Sequence, residues 1–290
     1  MEKIKRLLVI FLMCLICVSV IAGCSSNYSK SSPMEIYGGD IAKYSLAACS
    51  DATLSYEFPI IINREIDTNE FKFMGFNTGV GTDIEQIVKY NQISDPIKYK
   101  DWYCYFMTFD VDTSKVDKNL VIDSINLKIN GKEIRYKVDS FEIDTAKNVV
   151  GEEYNCENSD VVFEYGGPTV MYHILPDDKQ TISYEIKEDC IIDSLEIQKF
   201  VDIKDKKYYV NGESVEYVDG LSVRQGDELC ISYKLQYKQG INDYDMVKTG
   251  MFLKYTQKGN RKCAMVLEQG IVVVNSNEDQ FIKDYIDKKL

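Results

Sequence analysis

The chain has 290 residues, and its 34 Lys and Arg against 46 Asp and Glu give a formal net charge of −12. A chain this acidic repels phosphate backbones, which disfavours nucleic acid as a partner. With 45% apolar residues, 17 Gly and only five Pro, the composition excludes a disordered or collagen-like chain. There is enough apolar material for the core of one large domain or two ordinary ones.

The first 23 residues have the organisation of a secretory signal peptide. Basic residues at positions 3, 5 and 6 precede an apolar run from Leu7 to Ala22. This run is shorter than the roughly 20 residues that a membrane-spanning helix needs. Residues 24–33 are polar and rich in serine, which indicates a flexible tether. Removal of residues 1–23 leaves 31 positive and 45 negative side chains, a net charge of −14.

The residues Ile21, Ala22, Gly23 and Cys24 resemble the lipobox of bacterial lipoproteins. The resemblance covers the signal and the cysteine, about a tenth of the chain. It implies cleavage before Cys24, a diacylglyceryl group on the Cys24 sulfur, and acylation of the new amino terminus. Stable anchoring needs two acyl chains or more. The resemblance therefore implies a lipid anchor in the bacterial cell membrane, with the body on the extracytoplasmic face.

Strand patterns dominate residues 34–176, which we expect to form a β-rich domain. The expected strands are residues 52–62, 71–76, 102–109, 121–129, 134–138, 161–163 and 169–175. Residues 82–88 begin like a capping box and predict a short helix. Asn130-Gly131 is the signal for a two-residue hairpin turn. The polar residues 142–160 predict a long loop.

Residues 177–290 predict a second domain, a β-sandwich that ends in a helix. Strand-favouring stretches recur about every ten residues, with turn residues such as Asn211-Gly212 and Lys258-Gly259 between them. This spacing is typical of an antiparallel sandwich or barrel. From Ser276 onwards, apolar residues share one helical face, which predicts an amphipathic helix packed on this second domain.

The predicted fold class is mainly β. We expect an antiparallel β-sandwich, immunoglobulin-like or related, in two packed units with a short C-terminal α-helix. The chain lacks an alternation of strands and helices, which disfavours a parallel sheet.

Six cysteines remain after the signal and Cys24: Cys49, Cys104, Cys156, Cys190, Cys230 and Cys263. Six cysteines outside the cytoplasm allow 15 disulfide connectivities. Their wide, irregular spacing and their place in apolar stretches equally suit buried thiols. Disulfides and thiols therefore both stay open, and the spacing does not favour a structural metal site.

Catalytic signals are weak. The sole histidine, His173, lies in an apolar stretch and is interpreted as a partly buried strand residue. Asp110, Asp112 and Asp117 alternate like calcium ligands, but the segment lacks the glycine and the final acid of an EF-hand loop. They are weak candidates for a metal site, and no cofactor is expected.

Aromatic residues supply the best candidate for a ligand site. Trp102, Tyr103 and Tyr105 lie close together in one predicted strand, where exposed rings could bind a protein or a glycan. Burial of each ring in the core is the more common arrangement.

The sequence thus favours a non-catalytic binding module, held at the membrane by its lipid. Two alternatives stay open: an envelope glycan hydrolase that uses paired carboxylates, and an accessory subunit of a membrane transporter complex.

Overall fold

A computed structural model describes residues 33–48, 53–78, 84–116, 118–156, 163–165, 173–174, 176–216, 220–266, 271–273 and 280–290. These residues form 22 strands in four sheets, two α-helices and three short 3-10 helices. The expected mainly β fold with a short C-terminal helix is confirmed.

The first sheet has five strands, in the order β1-β3-β7-β5, and β6 also pairs with β7. Its strands are β1 (Ile36–Tyr37), β3 (Thr53–Ile62), β5 (Val88–Ile93), β6 (Ile97–Tyr99) and β7 (Trp102–Asp112).

The second sheet has seven strands, in the order β12-β22-β19-β2-β9-β8-β4. They are β2 (Ala42–Ala48), β4 (Lys72–Thr78), β8 (Leu120–Ile129), β9 (Lys132–Thr145), β12 (His173–Ile174), β19 (Met246–Thr249) and β22 (Ile271–Val273).

These two sheets pack face to face through aromatic side chains. The Tyr44 ring of the second sheet lies 4.8 Å, centroid to centroid, from the Phe58 ring of the first. Phe141 lies at the same distance from Phe58. All three are fully or almost fully buried, so they form the centre of the first sandwich.

The third and fourth sheets form the second sandwich. The third contains β10 (Asn155–Cys156), β14 (Cys190–Ile197), β17 (Leu221–Val223), β20 (Met251–Gln257) and β21 (Asn260–Met265). The fourth contains β11 (Phe163–Tyr165), β13 (Lys179–Ile186), β15 (Val201–Val210), β16 (Glu213–Val215) and β18 (Glu228–Tyr237). Alternate residues of β18 from Leu229 to Leu235 are buried in its core, as their pattern predicts.

The predicted hairpin turns are confirmed. Asn130 and Gly131 have φ of 49° and 78°, and Asn211 and Gly212 have φ of 51° and 81°. Two consecutive positive φ values are the geometry of a type I′ turn, whose twist suits a hairpin. Each turn joins adjacent antiparallel strands, β8 to β9 and β15 to β16.

Two local predictions are wrong. Residues 84–86 form a single 3-10 turn, and Val88 already belongs to strand β5, so the expected helix over 82–88 is absent among its described residues. The expected loop over 142–160 begins inside β9 and continues through a helix, α1 (Ala146–Val150), and through β10. Thr145 caps α1 by accepting a hydrogen bond from the Asn148 amide at 3.3 Å.

Parallel pairing does occur, contrary to expectation. Strand β2 pairs in parallel with both β9 and β19, and β10 pairs in parallel with β21. These partners are far apart in sequence, so the chain between them supplies the crossover that a parallel pair requires. A pattern of alternating strands and helices indicates parallel pairs only between strands that are neighbours in the sequence. It therefore gives no sign of these long-range parallel pairs.

The strands of the two expected domains, 34–176 and 177–290, mix in the second sheet. Strands β19 and β22 come from the second half and complete a sheet built on the first. Strand β19 ends at Thr249 and β20 starts at Met251, so the chain passes from the first sandwich to the second across Gly250. A Cβ at Gly250 would lie 2.6 Å from Oε1 of Gln198, so glycine allows this close approach.

The C-terminal helix, α2 (Gln280–Lys289), packs against the first sandwich. The Phe281 ring lies 6.4 Å from that of Phe106 in β7, and the Tyr285 hydroxyl donates to Asp40 at 2.7 Å. Tyr285 also contacts Tyr244, just before β19, edge to face at 5.4 Å. The expected packing on the second domain is therefore corrected, because the apolar face of α2 covers the first sheet.

Candidate functional site

An aromatic and basic surface lies where the β6–β7 hairpin turns. We call it the hairpin patch: Tyr37, Tyr99 and Trp102 lie on one face of the hairpin tip, and Lys98 and Tyr103 lie on the other. The register places Tyr99 opposite Trp102 and Lys98 opposite Tyr103. Tyr37 reaches the patch from β1, and its ring meets that of Trp102 edge to face, 5.5 Å away at 81°. Tyr37 is 38% exposed, which makes it one of the exposed large apolar residues of the described chain.

Lysines border these rings. Lys98 Nζ lies 5.1 Å from the centroid of the Tyr103 ring, and Lys100 Nζ lies 5.5 Å from that of Tyr99. A hydrogen bond with Tyr103 raises the pKa of Lys98, so its ammonium is retained. Both lysines have acidic neighbours, since Glu65 and Asp101 lie close enough to act on Lys98, and Asp287 pairs with Lys100.

Helix α2 holds one side of the patch. Asp287 forms an ion pair with Lys100 at 2.6 Å and accepts a hydrogen bond from the Tyr99 hydroxyl at 3.2 Å. The hydrogen bond from Lys100 lowers the pKa of Asp287. The C-terminal helix therefore orients the hairpin tip as well as covering the sheet.

The three aromatic residues that the sequence predicts as a ligand site, Trp102, Tyr103 and Tyr105, differ in their burial. Trp102 and Tyr103 are half-buried at the hairpin tip, and they point to opposite faces of β7 because successive strand residues alternate. Tyr105 is fully buried, and its hydroxyl accepts a hydrogen bond from the Ile66 amide at 2.8 Å. Tyr105 is therefore a core residue that a ligand on the surface does not touch.

Sequence reasoning missed Tyr37, Tyr99 and the bordering lysines. Tyr37 is 65 residues from Trp102 in the chain and meets it only because β1 and β7 both flank β3. Tyr99 and Lys98 could have been found from the sequence, since a short hairpin before Trp102 would place Tyr99 opposite Trp102 and Lys98 opposite Tyr103.

The aspartates proposed as metal ligands have local structural roles. Asp110 accepts a hydrogen bond from Ser55 at 2.6 Å, which lowers its pKa. Asp112 caps the 3-10 helix Thr113–Lys115, pairs with Lys115 at 2.7 Å, and has a pKa lowered by that lysine. Asp117 lies outside the described residues. Within the described ranges, no three His, Cys, Asp or Glu side chains converge as a metal site would require.

One carboxylate is fully enclosed. Asp245 has no exposed surface, and burial raises its pKa. Its Oδ2 accepts from the Asn242 amide at 2.8 Å, while its Oδ1 has no hydrogen-bond partner. The hydrogen bond to the Asn242 amide closes a turn before β19, which gives Asp245 a structural role. Because an external glycan does not reach a fully buried side chain, Asp245 is not a catalytic acid for such a substrate.

The lipobox residues Ile21 to Cys24, the signal peptide and most of the tether lie outside the described residues. The backbone of His173 pairs with Val272 in the second sheet. No helix in the described part of the chain is long and apolar enough to span a membrane.

No protein-family model matches the chain, and a search of curated proteins finds no relative. Solved structures show distant likenesses. The N-terminal periplasmic domain of ScsB from Proteus mirabilis is 10% identical, with a TM-score of 0.20 over 77% of this chain and 89% of that one. The adhesin CfaE of enterotoxigenic E. coli is 7% identical, with a TM-score of 0.26 over 84% and 87%.

The C-terminal domain of the Streptococcus pyogenes antigen I/II-family protein AspA is 9% identical. Its TM-score is 0.21 over 80% of this chain and 94% of that one. Likenesses with scores this low carry no argument about the fold or function of this chain.

Proposed function

We propose that this protein is a membrane-anchored extracytoplasmic lipoprotein whose double β-sandwich is a non-catalytic binding module. Cys24 carries the lipid, and the hairpin patch contacts a protein partner. The observation that carries the binding role is the half-exposed pair of Tyr37 and Trp102, whose rings meet edge to face at the tip of a hairpin.

The geometry of this pair favours a protein over a glycan as the ligand. Sugar rings stack on flat aromatic faces, whereas the Tyr37 and Trp102 rings are almost perpendicular, at 81°. Trp and Tyr are the residues most enriched at the energetic centres of protein interfaces, where their partly buried rings are already positioned.

Photocrosslinking in cells tests the binding role. A photoreactive residue at position 37 should yield a discrete crosslinked product, because Tyr37 lies in the patch. The same residue at Val121, which is 41% exposed on β8, is the matched control and should not yield that product. The product at position 37 should disappear when Trp102→Ala is added. Equal products at both positions, or a product that survives Trp102→Ala, would contradict the assignment.

Fractionation tests the anchor separately. The wild-type chain should sediment with membranes, and mass spectrometry of its N-terminal peptide should show a diacylglyceryl group on Cys24. The Cys24→Ala chain should be released from the membrane fraction. Retention of the Cys24→Ala chain in the membrane fraction would contradict the lipoprotein assignment.

A further inference from the structure

Two cysteines lie side by side where the segment that joins the sandwiches meets the third sheet. Strand β10 pairs in parallel with β21, and the register places Cys156 directly opposite Cys263. Adjacent strands are about 4.8 Å apart. This spacing falls within the range of about 4.4–6.8 Å between the Cα atoms of disulfide-bonded residues.

The side chains of this pair also share one environment. Cys263 is fully buried in an apolar cluster with Ala47, Val150 and Phe252, and half-buried Cys156 packs against the same cluster. The cluster combines residues of the second sheet, helix α1 and the third sheet. Both sulfur atoms therefore lie on the same side of the strand pair.

Neighbouring contacts hold the β10 segment in place. The Tyr154 ring lies 4.7 Å from Lys254 Nζ and 5.9 Å from the guanidinium carbon of Arg261. These cations come from β20 and β21, so Tyr154 fixes the approach of Cys156 to β21.

The sheet registers place residues other than cysteine opposite Cys104, Cys190 and Cys230. Cys104 lies opposite Ile61 and Ile97, and Cys190 lies opposite Val223. Cys230 lies opposite Ser183 and Tyr209. Burial also raises the pKa of Cys190 to about 12, which keeps that sulfur as an unreactive thiol. Cys49 lies outside the described residues.

We propose that Cys156 and Cys263 form a disulfide bond that clamps the segment between the sandwiches to strand β21. The bond closes the chain from residue 156 to residue 263. It links the segment that leaves the first sandwich to a strand of the second.

The chemistry is oxidation by a disulfide-bearing oxidant. The more accessible Cys156 loses its proton and attacks the oxidant, which releases one thiol and leaves a mixed disulfide on Cys156. The Cys263 thiolate then attacks the Cys156 sulfur and displaces the second thiol. The protein gives up two protons and two electrons, and the oxidant's disulfide becomes two thiols.

Peptide mapping of the wild-type full chain tests the bond directly. The chain is purified in detergent from the envelope of a bacterial host, incubated with oxidised glutathione, and denatured with N-ethylmaleimide and no reductant. Digestion should yield one linked peptide pair that contains Cys156 and Cys263, and Cys104, Cys190 and Cys230 should carry the alkyl group. Alkylation of both Cys156 and Cys263, or linkage of either one to any other thiol, would overturn the proposal.

Thermal unfolding gives an independent readout. Reductant should lower the midpoint of wild type by roughly 5–15 °C, because a closed loop of this length restricts the unfolded chain. Reductant should not change the midpoint of Cys156→Ser, which replaces only the half-buried member. Cys230→Ser is the matched control and should keep the full reductant effect. An equal reductant effect in Cys156→Ser and wild type would also overturn the proposal.

Discussion

At the scale of single residues, burial changes the chemistry of groups that look ordinary in the sequence. Lys248 of β19 is 8% exposed, donates to the Ser55 carbonyl, and places its ammonium 4.7 Å from the centroid of the Tyr56 ring. Loss of hydration lowers the pKa of Lys248 from 10.5 to about 8. The folded state therefore disfavours the charged form of Lys248. The contact between its ammonium and the Tyr56 ring offsets only part of the free energy lost by dehydration.

This shift predicts a pH-dependent stability. Between pH 8 and 10.5 the unfolded chain keeps the Lys248 proton that the folded chain has lost, so the free energy of unfolding should rise with pH. The gain should reach at most about 3.5 kcal/mol, at about 1.4 kcal/mol per pKa unit. Urea unfolding of wild type and Lys248→Met across this range measures the difference.

The Lys248→Met chain should lack this rise, whereas exposed Lys132→Met should keep it. Parallel pH profiles for wild type and Lys248→Met would show that the lysine is not desolvated as the structure indicates.

At the scale of elements, helix α2 illustrates how an amphipathic pattern leaves its partner undefined. Phe281, Ile282, Tyr285 and Ile286 are all buried, as their spacing predicts. Their partners include Phe106 and Asp40, which come from the opposite end of the sequence. A helical stripe requires an apolar surface to cover, and many surfaces satisfy that requirement equally.

Truncation of the main contact should release the helix. Phe281→Ala should lower the free energy of unfolding by about 3 kcal/mol, because it leaves a cavity against Phe106. Hydrogen exchange of the amides in residues 280–289 should accelerate in this variant. Gln280→Ala, at an exposed position one residue earlier, should change stability by less than about 0.5 kcal/mol. Unchanged exchange in Phe281→Ala would mean that α2 is held elsewhere.

At the scale of the whole molecule, residues 36–290 form one compact unit. The chain enters the second sandwich after α1 and returns to the second sheet as β12, as β19 and again as β22, and it crosses back to the second sandwich at Gly250 after β19. Each sandwich is therefore built from segments that the other interrupts in sequence. This connectivity couples the folding of the two sandwiches.

Cutting the chain at the expected boundary should reveal this coupling. A fragment of residues 34–176 lacks β19, which pairs with β2 from Ala42 to Ser45, so it should expose the edge of β2 and fail to fold. Co-expression with residues 177–290 should restore a folded complex, and residues 34–290 in one chain are the control. Circular dichroism and the amide dispersion of NMR spectra measure the outcome. Cooperative unfolding of the 34–176 fragment alone would instead support two independent domains.

Local features followed from the sequence because their causes are local. The Asn130-Gly131 and Asn211-Gly212 turns depend on residues that tolerate positive φ, and the buried face of β18 depends on a repeat of two. Long-range pairing has no such signal. The parallel pairing of β2 with β19, the docking of α2 and the meeting of Tyr37 with Trp102 depend on which surfaces bury the most apolar area together. The sequence therefore predicted two residues of the candidate site, Trp102 and Tyr103. The packing of distant strands, which brings Tyr37 to Trp102, was decided only by the tertiary structure.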